Sequence, residues 1–276
     1  MEAIRNAIPE TPVIVAGAVG GPSVMFAVTP FRNGLTLGAT NTRAGAMELY
    51  GSVFARGLAG GWTGGIYPAI AGCPQFLCLG PAYHFYAAFV GTAGGVVLTS
   101  LTESGIVFGA ETCNAQMAKN AKAPGSIKNV HNSMKPWGTG FSIHFARNVI
   151  ATAGLRIFAQ PCTWAVEKAT GKSNAMTTLG GDFVGLRNVC AACLSAPVHQ
   201  LYGFTVTTPE LADLPSAERR ARAVQFLKDQ YLLPGTSRLS PVVPRDLFMR
   251  SMYVAVAYTM YSTLERTLVA KWPRSQ

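Results

Sequence analysis

Charged residues are scarce in this sequence. Asp, Glu, Lys and Arg make up 13% of the 276 residues, about half the share that is usual in a soluble domain. The segments Thr11–Phe31 and Gly57–Thr102 contain none of them. A membrane-spanning helix needs about 20 mainly apolar residues, so both segments are long enough to cross a membrane. The scarcity of charge therefore favours a membrane protein, and the alternative is a soluble protein with an α-helical core.

Further apolar segments follow later in the chain. Val189–Pro209 and Met252–Leu264 lack charged side chains, and Arg156 alone interrupts Asn148–Val166. Together with the two longer segments they predict six membrane spans. The predicted spans lie near residues 11–33, 65–88, 90–117, 138–164, 178–203 and 243–268.

The net charge of +10 is unevenly distributed along the chain. The connections after the first, third and fifth predicted spans are rich in Lys and Arg, whereas those after the second and fourth carry Lys168 and Lys172. Cytoplasmic or matrix loops of multi-pass membrane proteins show this one-sided distribution. Nucleic-acid binding, which a basic chain would otherwise suggest, is therefore not expected.

Patterns typical of enzymes and metal sites are also missing from the sequence. No nucleophile–base–acid set or phosphate-binding loop is evident, and Cys190-x-x-Cys193 has no second pair of metal-ligand spacing. We therefore expect neither catalytic activity nor a metal or other cofactor.

Internal repetition organises the chain. Gly17 and Gly21 in the first span correspond to Gly91 and Gly95 in the third, and small residues four apart let helices approach closely. A basic stretch with helical periodicity follows each odd span, clearest at LPSAERRARAVQFLKDQYLL (214–233). There Ser216 is a candidate N-cap, and the apolar residues of its predicted buried face are Ala221, Val224, Leu227 and Tyr231. The unit is a span, a surface helix and a second span, repeated three times.

The sequence resembles the mitochondrial carrier family over almost its whole length. The motifs that carry this resemblance are TPFRNGL, FARGLAGGWTGGIYPAIAGCP, SIHFARNVIATAGLRI and SAPVHQLYGF. The resemblance implies an all-α membrane protein with six transmembrane helices in three pseudo-symmetric repeats and short amphipathic helices on the matrix side. It would form a single domain over residues 1–276, with repeats at approximately 1–89, 90–172 and 173–276. The implied location is the mitochondrial inner membrane, where membrane lipids, including bound cardiolipin or another phospholipid, are expected partners.

The resemblance also implies a matrix-side gate with the signature Pro-x-Asp/Glu-x-x-Lys/Arg, and this sequence departs from it. The proline, acid and base positions of the three repeats read Pro30, Arg32, Leu35; Ser104, Ile106, Gly109; and Pro197, His199, Tyr202. No acid–base pair remains in this alignment. If the second repeat is aligned on Gly109 instead, it contributes a single acid, Glu111, without a partner.

The implied cytoplasmic gate, an aromatic residue and an acid with a base three positions later, is depleted as well. The corresponding positions are Tyr83 and His84; Ala159 and Gln160; and Tyr261 and Ser262 with Glu265. Aromatic residues remain in two repeats, but the ion pairs are absent. Since alternating access needs two states of similar free energy, loss of both gates predicts lost or altered transport.

The positions that contact substrate in the family correspond to Ala71, Arg147, Asn148 and Arg250. Two arginines facing one cavity could bind a small carboxylate dianion through charge-assisted hydrogen bonds. Alternatively, these arginines pair with lipid phosphate, a loop or a neighbouring subunit, and Arg245 competes with Arg250 for the third position.

Three functions remain open on this basis. The first is a structural or accessory subunit of a larger mitochondrial inner-membrane complex, such as a respiratory-chain or ATP-synthase assembly, because both gates have lost their charges. Arg32 would then be a membrane-edge anchor or an interface contact. The second is a transporter of a small anionic, carboxylate-type metabolite. The third is an insertase or membrane-shaping protein derived from a carrier.

Overall fold

The computed structural model describes residues 10–41, 43–157, 159–171 and 186–272. Helices dominate these ranges. Their bounds are α1, Thr11–Ala27; α2, Thr29–Thr40; α3, Ala46–Val53; α4, Ile66–Lys122; α5, Phe141–Arg156; α6, Ala159–Thr170; α7, Leu186–Thr207; α8, Ser216–Tyr231; and α9, Val242–Lys271. Short 3₁₀ turns at Leu58–Trp62 and Pro209–Ala212 precede α4 and α8.

The first two helices are bent against each other by 48°. The bend lies at Val28, one residue before the first turn of α2, which contains Pro30. Proline has no N–H to donate and its ring crowds the preceding turn, so a kink at this position has a local cause. Within α1, residues Ala16–Gly20 form a π-helical turn.

The longest helix, α4, is folded back on itself at Gly91. This glycine has φ 73° and ψ 176°, a conformation that residues with a Cβ rarely adopt. Gln75 and Glu103, which would be about 42 Å apart in a straight helix at about 1.5 Å per residue, are joined by a 2.7 Å hydrogen bond. The Tyr86 and Thr102 hydroxyls lie 3.1 Å apart. The two halves of α4 therefore lie side by side.

Helix α2 lies at the centre of the molecule. It packs against α3, α4, α7 and α9, and nearly every residue from Thr29 to Ala39 is buried. On one side Leu35 and Leu37 form an apolar cluster with Leu49 and Met249. Because α2 is buried on all sides, its polar residues must find partners inside the protein.

The surface helix predicted at 214–233 is present as α8, and its buried face coincides only in part with the predicted one, because Leu227 and Tyr231 are half-buried and Ala221 is exposed. Phe226 and Gln230 are its buried residues, and the Phe226 ring stacks on Phe204 at 4.3 Å. Val224, predicted to be on the buried face, is 52% exposed. Pro215 occupies the N-cap position and no side chain caps the helix, so the prediction for Ser216 was wrong.

The six-span carrier fold predicted from the sequence is not evident. Among the described residues, α4 is the one helix long and apolar enough to cross a membrane, and α1 and α2 pass the same test only as a bent pair. Helix α5 has 16 residues, fewer than the roughly 20 that a span needs, and α9 carries Arg245, Asp246 and Arg250. Short helices and charged residues thus replace several of the spans that the sequence predicts.

Candidate functional site

The Glu111 carboxylate is the centre of a buried charged cluster. It accepts a hydrogen bond from Arg147 at 2.8 Å, lies 3.2 Å from an Arg32 nitrogen and lies 3.2 Å from His144 Nε2. Arg147 also donates to Asn148 Oδ1 through two nitrogens, at 2.7 and 3.0 Å. All these side chains are buried. Glu111 on α4 therefore links α2 and α5 through buried ionic contacts. Removal of either partner would leave a buried charge uncompensated.

Helical spacing explains how the cluster is assembled. His144 and Arg147, three residues apart on α5, project from the same face. Ser104 and Glu111, two turns apart on α4, share the facing side. The Ser104 hydroxyl accepts from Asn148 Nδ2 at 3.1 Å and lies 3.3 Å from His144 Nδ1. The sequence thus places two polar stripes opposite each other.

Arg32 extends the cluster from α2 toward α9. One of its terminal nitrogens, which also faces Glu111, donates to the Tyr253 hydroxyl at 2.7 Å. The Arg32 side chain is only 4% exposed, so it does not reach a lipid or water boundary as an anchor would. Glu111, which the alternative alignment of the second repeat left without a partner, is therefore paired with Arg32.

A cavity of about 100 Å³ adjoins this cluster. Its polar wall comes from α4, α5, α7 and α9, and its remaining wall is apolar. The polar lining residues are Gln75, Glu103, Glu111, Arg147, Asn148, Ser195, Arg250 and Tyr253. Arg250 Nε donates to Ser195 Oγ at 3.2 Å, and the Arg250 guanidinium lies 5.1 Å from the centre of the Tyr253 ring. Charged groups from three helices therefore meet around one space.

The cavity holds a second carboxyl group in a different setting. Glu103 accepts its 2.7 Å hydrogen bond from the neutral amide of Gln75, and no ion pair to Glu103 is found within the described ranges. Gln75 is 7% exposed, and its Oε1 atom is buried without a hydrogen-bond partner among the described residues. The two carboxyl groups thus share a cavity, but among the described contacts only Glu111 touches guanidinium groups directly.

A second buried arginine–carboxylate pair lies where α9 begins. Arg245 contacts Asp246 at 2.8 Å and donates to the backbone carbonyls of Asn41 and Ala44 at 3.1 and 2.7 Å. Asp246 accepts from Gln230 at 2.9 Å and from Tyr231 at 3.0 Å. Burial and the Asp246 carboxylate raise the pKa of Tyr231. This pair joins α8 and α9 to the end of α2.

Three of the four predicted substrate-contact residues meet at the cavity. Arg147, Asn148 and Arg250 line it. Ala71 does not, and Gln75, one helical turn further along, occupies that wall instead. Arg245, the competing candidate for Arg250, belongs to the second pair. Whether the three residues bind a ligand stays a prediction.

The predicted matrix-gate residues are distributed between the cluster and its packing. Arg32, Ser104 and His199 border the charged groups, and His199 Nδ1 lies 3.5 Å from Arg147. The Tyr202 hydroxyl lies 2.9 Å from that of Thr112. The others have packing roles or line small spaces between helices. These are Pro30 and Leu35 in buried α2, Ile106 and Gly109 on α4, and Pro197 within α7.

The predicted cytoplasmic-gate residues lie apart from the cluster. Tyr83 stacks under Arg156, whose guanidinium is 4.4 Å from the ring centre, and His84 is exposed beside it. Tyr261 packs on Phe76 at 4.6 Å. Glu265 lies one turn further along α9. The side chains of Gln160 and Ser262 lie outside the described part of the structure.

Sequence reasoning missed several residues of the site. Glu111 entered only through an alternative alignment, as an acid without a partner. The motifs did not indicate four further residues, because none of them falls on a family signature position: Glu103, Gln75, Ser195 and Tyr253. The signal that could have found Glu103 was charge, because this residue directly follows the long uncharged segment Gly57–Thr102. Burying a carboxylate inside an apolar helix costs free energy, so such a residue is a candidate for a functional role.

Comparison with protein-family models, curated proteins and solved structures found no match to this chain. Within the described ranges, no group of three or more His, Cys, Asp or Glu side chains has the arrangement of a metal site. Functional inference therefore depends on the geometry of the cluster and its cavity.

Proposed function

We propose that this chain is a membrane-embedded protein that binds a small carboxylate-type anion in the central cavity and moves it across the membrane. The observation that carries this proposal is that Arg147 on α5 and Arg250 on α9 line the same cavity, with Asn148 and Ser195 beside them. Guanidinium groups bind carboxylates through paired, charge-assisted hydrogen bonds. The amide and hydroxyl groups supply further hydrogen bonds to an anion.

The charge of the site supports an anionic ligand. The described cluster and cavity contain three arginines, Arg32, Arg147 and Arg250, against the two carboxyl groups of Glu103 and Glu111. Guanidinium groups thus outnumber carboxyl groups among the described residues of the cluster and cavity, as a site for an anion requires.

The size of the cavity favours a small ligand. Its volume of about 100 Å³ exceeds the roughly 10–15 Å³ that a single water needs on the same kind of measure. A compact dicarboxylate such as oxalate is therefore a suitable probe, and acetate is the matched monoanion.

The membrane location is part of the proposal. Its support is the apolar helix α4, of which each half is long enough for one span, and the low charge of the sequence. The mitochondrial inner membrane is proposed only because the sequence motifs resemble those of mitochondrial carriers.

Uptake of labelled oxalate into proteoliposomes tests this function. We expect saturable uptake by the wild-type protein and loss of most uptake in Arg250→Gln, which removes one guanidinium without touching the Glu111 contacts. Arg238→Gln, on an exposed turn, is the matched control and should transport as the wild type does. Equal uptake by empty liposomes, or by Arg250→Gln protein that is folded, would contradict transport through this cavity.

A structural or accessory subunit of a larger inner-membrane assembly is the second candidate. The observation that favours it is that Glu111 is bound by Arg32, Arg147 and His144 at once, because such a saturated cluster holds α2, α4 and α5 in one arrangement. Extraction in mild detergent separates the candidates: comigration with a respiratory or ATP-synthase complex would favour the subunit. A free protein that exchanges oxalate would favour the transporter.

A further inference from the structure

We propose that the ligand of the central cavity is a short-chain monocarboxylate, which places its carboxylate beside Arg147 and Arg250 and its alkyl chain along an apolar end of the same cavity. This inference rests on the proposed anion-binding function and names the class of substrate. Its basis is the order in which polar and apolar lining residues follow one another along α5, α7 and α9.

The directions of these helices come from their contacts. Gly140, the residue before α5, packs beside Val206 near the end of α7. Seven residues further along α5, Arg147 lies 3.5 Å from His199, which is seven residues nearer to the start of α7. Helices α5 and α7 are therefore antiparallel.

Helix α9 also runs against α7. Arg245 at the start of α9 and Gln200 on α7 both lie beside Gly38. Five residues further along α9, Arg250 donates to Ser195, which is five residues nearer to the start of α7. Helices α5 and α9 consequently run in one direction and α7 in the opposite one.

Along all three helices, polar lining residues are followed by small or apolar ones toward the same end of the cavity. The polar lining residues are Arg147 and Asn148 on α5, Ser195 on α7 and Arg250 on α9. One or two turns further in that direction lie Ala151 and Gly154 on α5, Ala191 on α7, and Val254 and Ala257 on α9. None of the described residues that line this apolar end is charged.

The apolar end has the length and the space for a short alkyl chain. From Arg250 to Ala257 the helix rises by about 10 Å, at about 1.5 Å per residue. Four of the five residues at this end are alanine or glycine, so their side chains leave the space between the helices open. Transfer of one methylene group from water to such a place raises affinity about fourfold.

The same chemistry argues against a long dicarboxylate. A second carboxylate at the apolar end would lose its water without gaining a polar partner from the described lining residues, which is unfavourable. Oxalate avoids this because its two carboxylates are adjacent and lie together at the polar end. Oxalate therefore reports on the polar end alone, and a monocarboxylate series reports on both ends.

Titration calorimetry of acetate, propionate and butyrate binding to the purified full chain in nanodiscs tests the inference. Near neutral pH all three are anions that differ only in chain length. We expect the affinity to rise about fourfold with each methylene, and about fifteenfold from acetate to butyrate. Butyramide, which has the length of butyrate without its charge, should bind about tenfold more weakly than butyrate.

Variants locate the alkyl chain. Ala151→Leu and Ala257→Leu, on separate helices, each place a four-carbon side chain at the apolar end. Either change should remove the preference for butyrate over acetate, and oxalate binding by the variant shows that the polar end is folded. Ala146→Leu, the same substitution at an exposed position of α5, is the control and should keep the preference.

Each contrary result has a distinct meaning. Equal affinities for acetate and butyrate in the wild type would overturn the apolar end and leave the proposed function intact. A preference for butyrate that persists in both folded leucine variants would overturn the location of the chain. Equal binding of butyrate and butyramide would overturn the role of the carboxylate. Failure of the folded wild-type protein to bind oxalate or any of the monocarboxylates would overturn the proposed function, and the substrate class with it.

Discussion

Arg147 beside Glu111 and Arg245 beside Asp246 are both buried arginine–carboxylate pairs, but their surroundings differ. Backbone carbonyls of Gly38, Asn41 and Ala44 occupy the terminal nitrogens of Arg245. Arg147, in contrast, lines a cavity that Arg250 also borders. The Arg245–Asp246 pair has its hydrogen-bonding groups occupied by the protein itself, as a structural role requires. The Arg147–Glu111 pair combines structural contacts with a space for a ligand.

Glu111→Ala should have the largest effect in this comparison. It leaves Arg32 and Arg147 buried without their carboxylate, which costs about 3–5 kcal/mol of unfolding free energy. Thermal unfolding in nanodiscs, followed by circular dichroism, measures the loss. Glu48→Ala, which removes an exposed acid on α3, is the control. A midpoint within experimental error of the wild type would show that the central pair does not stabilise the fold.

Ligand stabilisation should distinguish the cavity from the second pair. Oxalate at one hundred times its dissociation constant should add about 2.7 kcal/mol to the unfolding free energy. We expect this gain in the wild type and in Asp246→Asn, but not in Arg250→Gln. A gain of equal size in all three proteins would place the binding site elsewhere.

Asp246→Asn itself should destabilise the protein by roughly 1–2 kcal/mol. The loss is smaller than for Glu111→Ala because Arg245 keeps three carbonyl acceptors and the new amide oxygen can still accept from Gln230 or Tyr231. Chemical unfolding at a fixed pH provides the measurement. A loss of unfolding free energy larger than that of Glu111→Ala would show that the Arg245–Asp246 pair stabilises the fold more than the Glu111 cluster does.

The smallest expected effect concerns Tyr231 at alkaline pH. Burial and Asp246 raise the pKa of Tyr231 in the folded state, whereas an unfolded tyrosine ionises near about pH 10. The stabilisation is thus complete below about pH 10 and is lost as pH rises further. Tyr231→Phe should lose about 0.5–1.5 kcal/mol near neutral pH and show a weaker alkaline decline. Tyr86→Phe serves as control, and an unchanged decline in Tyr231→Phe would exclude this group as its cause.

The sequence predicted where helices occur better than how they are arranged. Apolar segments located α4, α7 and α9, and the boundary between the predicted spans 65–88 and 90–117 lies close to Gly91, where α4 folds back. The six predicted membrane spans are not evident among the described residues. The apolar segments gave the approximate positions of helices, but not where each helix begins and ends or which charged residues it includes. The buried face of α8 was predicted only in part, since Phe226 has a specific stacking partner, Phe204, in another helix.

The candidate site was predictable only in part. Family positions brought Arg147, Asn148 and Arg250 into consideration, and all three line the cavity. The Arg32–Glu111 contact was missed because the alignment of the second repeat placed Ser104 at the proline position. The Arg32–Glu111 contact depends on how α2 and α4 pack together, and neither segment contains a local sequence pattern that predicts this packing.

Equilibrium binding of oxalate to the purified protein tests the central claim most directly. Saturable binding of one oxalate per chain is expected, with loss of affinity in Arg250→Gln and unchanged affinity in Arg238→Gln. Absence of saturable binding to the folded wild-type protein, or an equal affinity in Arg250→Gln, would contradict an anion site between α5 and α9.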